Sequence, residues 1–316
     1  MRAPLEYLRR LARNPKKYTS REWLRVNLKP EMWRARMNAT YGAHFVLKSV
    51  RARKIRKVAV FPSKMNLFQP AESYVAWKVF KACGLAVCGA DDPNADLAIA
   101  WHPATQYEID RDLLARHRAR HPVINGECTD IRKSRVGQAF SEIFGYRLEI
   151  DPLEYQGVLV RKSERNGPHD AVLLQGPLDA VEPGYVYQRL VNNETSQGQT
   201  EWRVFIVGGE IISVYANHRP TQDRFRPIPS SSELCGIDDV FTEQEQRNIA
   251  AFCKRMALDF GVLDVLRDQN DGRMYICDCN NTPTGPAEIL GVSRQLRVVH
   301  TLADAFERAF LSAAAR

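Results

Sequence analysis

One stretch constrains this chain more than any other. It runs Phe260-Gly-Val-Leu-Asp264-Val-Leu-Arg267, turns through Asp268 to Gly272, and returns as Met274-Tyr-Ile-Cys-Asp278-Cys-Asn280-Asn-Thr-Pro283. The two apolar runs read as neighbouring strands of a hairpin. Asp278 and Asn280 are two residues apart and so share a sheet face, and Asp264 can meet them from the adjacent strand. Hard oxygen ligands of this kind suit magnesium, which keeps several waters and is completed by substrate phosphates. The competing reading is an exposed hairpin whose Asp and Asn satisfy turn backbone. Cys277 and Cys279 alternate with these residues and are expected on one common face. No second Cys/His pair at zinc spacing accompanies them, which favours packing over metal binding.

The chain has 316 residues, 44% of them hydrophobic, enough to bury a sizeable core in two or three lobes, and this excludes a disordered or fibrous class. Charges at Arg2, Glu6, Arg9 and Arg10 leave no room for a signal-peptide apolar core, and no run approaches a membrane span, so a cytoplasmic location is expected. Seven scattered cysteines, an odd number, fit reduced thiols better than a disulfide framework.

Charge is distributed unevenly. Residues 1–57 carry 17 Lys/Arg against 3 Asp/Glu, leaving 28 against 34 for the remainder. Helical spacing is expected over Pro4–Ala12 and Ser20–Asn27, with a third helix around Met32–Met37, and Tyr7, Tyr18, Trp23, Trp33 and Phe45 are interleaved with the arginines. Such an arm can lie on an anionic surface, whether an acidic membrane leaflet, a nucleic acid or an acidic polymer. Alternatively its aromatics pack it on the rest of the chain as a solvated helical face.

After this arm the pattern becomes strand, helix, strand: Val58–Phe61, Ala71–Cys83, Leu85–Cys88 and Asp96–Trp101, then Val123–Asn125. A helix is expected over Lys133–Phe144, stopped by Gly145. Strands over Gly157–Val160, Ala171–Leu174, Tyr185–Leu190, Trp202–Val207 and Glu210–Tyr215 predict an antiparallel region, the last two joined through Gly208-Gly209. Helices are expected over Thr242–Asp259 and Val292–Ala313, flanking this hairpin. Cys128, in Asn125-Gly-Glu-Cys, has no histidine near it in sequence, so packing is expected rather than nucleophilic chemistry.

The Asp264 and Asp278-x-Asn280-x-Thr-Pro arrangement resembles the metal-binding end of the ATP-grasp superfamily, especially its ribosomal-protein glutamate ligase and D-alanine:D-alanine ligase branches. Upstream segments fall in the order this resemblance implies. Val158-Leu-Val-Arg-Lys162 is similar to the strand whose lysine contacts ATP phosphates, and Ser163–Asp170 takes the place of the mobile covering loop, here poor in glycine. Lys133 resembles the second phosphate-contacting lysine. Tyr185-Val-Tyr-Gln188-Arg-Leu190 resembles the adenine-binding hinge, with Gln188 and the backbone near Leu190 as contacts. Glu201-Trp-Arg203 resembles a segment in which Glu201 would hold ribose and Arg203 a phosphate or acyl-phosphate. Arg219, before Pro220, falls where the superfamily places a cation near the transferred group.

The resemblance thus implies an α/β (α+β) ATP-grasp fold: a basic helical arm over 1–57, an α/β pre-ATP-grasp lobe over 58–130, a small lobe over 131–185, and a C-terminal lobe over 186–316 with the metal site. Implied cofactors are ATP and Mg2+, which Mn2+ can replace, with Asp264, Asp278 and Asn280 as ligands. The implied reaction passes a phosphoryl group to a carboxylate, and an amine co-substrate then forms an amide, with Lys162, Arg203 and Arg219 stabilising the transferring group. Two rivals share the fold: a phosphotransferase acting on a hydroxyl, and a non-catalytic nucleotide-binding scaffold.

Overall fold

The structure, a computed structural model, describes residues 29–52, 55–61 and 73–312. The helices expected over Pro4–Ala12 and Ser20–Asn27 lie outside the described residues. The third is present, as part of a longer helix α1 (Lys29–Ala52).

The first lobe is a parallel sheet of β1 (Arg56–Phe61), β2 (Leu85–Cys88), β3 (Leu97–Ala100) and β4 (Val123–Ile124) in the order β2-β1-β3-β4. Val58, Ala59, Val60 and Phe61 of β1, and all of β3, are buried, as expected of strands covered on both faces. Helix α2 (Val75–Ala82) covers one face with Val75, Val79 and Phe80. Helix α3 (Arg111–Arg118) covers the other, capped by Asp110, whose side chain accepts from Leu113 N. The sequence reading did not find α3. Only Leu114 and His117 of its eight residues are buried, and two apolar points do not define a helical period.

Helix α4 (Lys133–Phe144) ends where expected, with Gly145 at φ 77 as its left-handed cap. It leads into a small antiparallel sheet, β6-β5-β7, of β5 (Gly157–Ser163), β6 (Val172–Gly176) and β7 (Tyr185–Arg189). The larger sheet follows: β8 (Glu194–Thr195), β9 (Gly198–Val207), β10 (Glu210–Arg219), β11 (Ser231–Cys235), β12 (Phe260–Arg267) and β13 (Met274–Asn280), in the path β11-β10-β9-β12-β13 with β8 on β9. Gly208 and Gly209, at φ 65 and 80, make the turn between β9 and β10, which needs positive φ at both positions. After the short α5 (Ile237–Val240), α6 (Glu243–Met256) starts at a capping box between Thr242 and Glu245 and packs Ile249, Phe252 and Cys253 under the sheet. Helix α7 (Val292–Phe306) closes the opposite face.

Two features bind the first lobe to the larger sheet. One core runs through both, containing Val58 and Phe80 together with Phe205, Phe260 and Phe306. The other is Asn125, fully buried at the end of β4: its Oδ1 accepts from Asp259 N at 2.8 Å and Phe260 N at 3.0 Å, and its Nδ2 donates to Phe260 O at 2.7 Å. No helix among the described residues is long and apolar enough to cross a membrane.

Candidate active site

Strand register assembles the site. Asp264 on β12 pairs with Arg203 on β9 and with Asp278 on β13, and Arg203 pairs with Tyr215 on β10. Four side chains from four adjacent strands therefore form one row across the sheet, and all line one cavity of about 290 Å³. Glu201 and Arg219, from β9 and β10, line the same cavity. The register slips between Asp264 and Val265, leaving Cys277 without a partner. Cys277 and Cys279, expected on one face, both belong to the core cluster under the sheet, and the bulge also brings Cys277 to the cavity wall. Cys277 donates to Asp264 O at 3.3 Å and lines the cavity, whereas Cys279 is held by Cys128 in the core. Cys128 is itself 1% exposed, a packing residue.

The carboxylates are held under electrostatic tension. Asp264 is only 13% exposed, and Arg203 Nη1 lies 3.0 Å from its Oδ1 and 3.3 Å from its Oδ2. Only Oδ2 accepts a hydrogen bond from this angle, so Oδ1 is a buried oxygen without one. Burial pushes Asp264 up to about 7, against the lowering effect of Arg203 and with Glu201 and Asp278 adding to the rise. Burial likewise raises Asp278, with Lys133 and Lys162 opposing. For Arg203, burial opposes the charge, but Asp264 beside it holds the guanidinium firmly protonated. Two partly buried carboxylates facing each other, one with an oxygen that accepts no hydrogen bond, fit a divalent cation. Among the described residues no group of three or more His, Cys, Asp or Glu side chains forms a metal site by itself.

Around this acidic pair the cavity is cationic, lined by Lys133, Lys162, Arg203, Arg219, Arg224 and Arg226. Arg219 is locked in place: its Nε donates to Arg226 O at 2.7 Å and its Nη2 lies 3.5 Å from Glu201 Oε1. A second, smaller pocket of about 70 Å³ adjoins the first, with Gln188, Leu190, Lys162 and Glu201 in its wall. Gln188 is 3% exposed, and its Nε2 donates to Glu149 Oε1 at 3.3 Å. Arg224, hydrogen-bonded to Gln199, and Phe225 also line this pocket.

No protein-family model matches the sequence, and no curated protein matches it. Solved structures do. The ATP-grasp ligase PsnB, complexed with a phosphomimetic variant of its minimal precursor, Mg and ADP, superposes with a TM-score of 0.54 over 83% of this chain and 99% of that one, at 12% identity. D-alanine–D-alanine ligase from Bacillus anthracis covers 83% of this chain and 99% of that one, with a TM-score of 0.52 and 11% identity. Its structure complexed with ATP gives 0.51 over 83% and 98%, at 11% identity. The chain has the ATP-grasp fold.

Within this ATP-grasp frame, the segment Ser163–Asp170 lies over the acidic pair and is tied down on several sides. Lys133 Nζ donates to Arg165 O at 2.9 Å, Asn166 N donates to Thr105 Oγ1 at 2.8 Å, and Ser134 N donates to Glu164 Oε2 at 3.0 Å. Asn166 Nδ2 reaches Asn280 Oδ1 at 2.6 Å. Asn280 therefore meets the other two expected ligands in one of the two cavities. It lines a cavity of about 420 Å³ on the first-lobe side, with Tyr74, Thr105, His169 and Thr282, while Asp264 and Asp278 line both cavities. Sequence reasoning missed Asn125 and Asn166. A single asparagine carries no periodic signal, and their roles depend on neighbours more than 100 positions away.

Proposed function

We propose that this chain is an ATP- and magnesium-dependent ligase that joins a carboxylate to an amine through an acyl-phosphate, releasing ADP and phosphate. One observation carries the reading: two partly buried carboxylates, Asp264 and Asp278, face each other in a cavity whose wall also carries Lys133, Lys162, Arg203 and Arg219. Acids among cations make sense where polyphosphate and a divalent ion arrive together. The neighbours of the same fold, described with Mg and ADP and with ATP, support this nucleotide assignment.

In this reading Asp264, Asp278 and Asn280 would hold magnesium. When bound, the ion supplies charge neutralisation between phosphate oxygens. Lys162 and Lys133 orient the phosphates, and the pocket beside Gln188 and Leu190 receives the base, with Glu201 near the ribose. Arg203 and Arg219 are preorganised by Asp264, Glu201 and Arg226 O, so they face the transferring phosphoryl group without reorganising. The carboxylate attacks the γ-phosphorus, ADP leaves, and the amine then displaces phosphate from the acyl carbon. Segment Ser163–Asp170, closed over the acidic pair, excludes water from that intermediate. The carboxylate and amine enter from the cavity walled by Tyr74, Thr105 and Thr282.

The test is magnesium-dependent ADP release from ATP against pools of carboxylates and amines, with Asp278→Ala beside wild type. Release that needs both pools and vanishes in the variant is expected. Release with a hydroxyl acceptor and no amine would make the chain a phosphotransferase, and nucleotide binding without release would make it a scaffold.

A further inference from the structure

Helix α1 has its apolar side turned outward. Ala39, Ala43, Val46, Leu47 and Val50 follow the i, i+4, i+7, i+8, i+11 spacing of one helical face, and all are exposed. Val46 is 57% exposed, Leu47 56% and Val50 71%, and Ile55 just beyond the helix is 51% exposed. The opposite face anchors the helix to the body. Tyr41 is 1% exposed, the His44 ring lies 4.5 Å from that of His300, and Lys48 pairs with Glu307 at 2.8 Å. Alongside the outward stripe runs an apolar groove of about 260 Å³ between Gly42, Phe45, Trp77, Lys81 and Val87, where the Lys81 ammonium lies 5.5 Å from the Trp77 ring centroid.

A firmly seated helix presenting aliphatic side chains to solvent marks an interaction surface. Its chemistry names the partner, because the same segment, residues 1–57, holds 17 Lys/Arg against 3 Asp/Glu. Basic residues alone would suit any polyanion. Valine and leucine gain nothing against a phosphodiester or polysaccharide chain, whereas in a bilayer they leave water for the boundary between headgroups and acyl chains. We propose that α1 lies on an anionic lipid bilayer, with Val46, Leu47 and Val50 inserted at that boundary and the excess positive charge of residues 1–57 drawing the chain to the lipid phosphates. Neither signal holds a protein on a membrane firmly by itself, and here the two occur together. This assignment does not depend on the ligase reading.

The experiment is co-sedimentation of the full-length protein with phosphatidylcholine vesicles, with and without about one-third phosphatidylglycerol. Binding is expected only to the anionic vesicles and is expected to be lost in about 0.5 M NaCl. The triple variant Val46→Ser/Leu47→Ser/Val50→Ser should bind at least about tenfold more weakly. Its unfolding temperature and circular dichroism, with a single Val50→Asp variant alongside, separate lost binding from lost folding. Absence of wild-type binding at low salt would overturn the proposal, as would triple-variant binding equal to wild type. Tighter binding to DNA or heparin than to anionic vesicles would transfer the surface to a polymer and overturn it too. So would a dimer that disappears in the triple variant while vesicle binding persists.

Discussion

Asp278 shows what the site asks of individual side chains. Burial beside Asp264 raises its carboxyl, so the ionised pair is a burden on the fold without a cation between its members. Asp278→Asn is expected to abolish magnesium-dependent nucleotide affinity while leaving the unfolding temperature of the ligand-free protein equal or higher. Calorimetry and thermal melts on one preparation check both halves. A different titratable residue contributes to acid sensitivity. His117 is fully buried, stacks on Phe61 with centroids 4.9 Å apart, and has Nδ1 3.2 Å from His121 Nε2. Burial lowers its pKa, with His121, Arg120 and Arg116 adding to the effect. A lowered folded value means that the neutral ring contributes stability above the unfolded value of about 6.5, and that this is lost as pH falls through 6.5 toward the folded value. His117→Phe should therefore melt with a shallower dependence on pH between about 7 and 5 than wild type. At this scale the sequence put Asp264, Asp278, Lys162 and Arg203 on strands whose alternation sets their directions, and the structure brings all four to one cavity. Sequence reading failed for Asn166, whose importance lies in reaching Asn280 across 114 positions.

Elements carry the next level of constraint. Strands β12 and β13, which carry Asp264 and Asp278, approach closely, and Gly261 permits it: a Cβ there would lie 2.6 Å from Asn280 O and 2.7 Å from Leu258 Cδ1. Gly261→Ala should cost about 1–3 kcal/mol in chemical denaturation and weaken metal-dependent nucleotide binding by shifting β13. The hairpins and α4 were readable because their signals are local: Gly208-Gly209 between apolar runs, and Gly145 after an amphipathic stretch. Helix α3 and strand β11 were not. One is mostly polar, and the other, Ser-Ser-Glu-Leu-Cys, is defined by pairing with β10 rather than by its own pattern. The bulge at Cys277 escaped for a related reason, since period-two reasoning assumes an unbroken ladder.

At the scale of the whole molecule, the site lies where the lobes meet, and its geometry depends on their attachment. Asn125 makes that attachment with hydrogen bonds to Asp259 and Phe260, at the start of the strand carrying Asp264. Asn125→Ala would strand several buried backbone groups and is expected to destabilise the protein on the order of 3 kcal/mol, measured by urea unfolding. The order of segments along the chain was legible because each is a strand or loop with a chemically marked residue. The closeness of the lobes was not, because a core containing Phe80, Phe205 and Phe306 is a product of tertiary packing. The central claim concerns chemistry between these lobes, and oxygen tracing tests it most directly. Pooled carboxylates labelled with 18O, incubated with ATP, magnesium, pooled amines and the protein, should yield phosphate carrying one 18O in an amine-dependent manner. Turnover that releases only unlabelled phosphate would contradict an acyl-phosphate and the ligase reading with it.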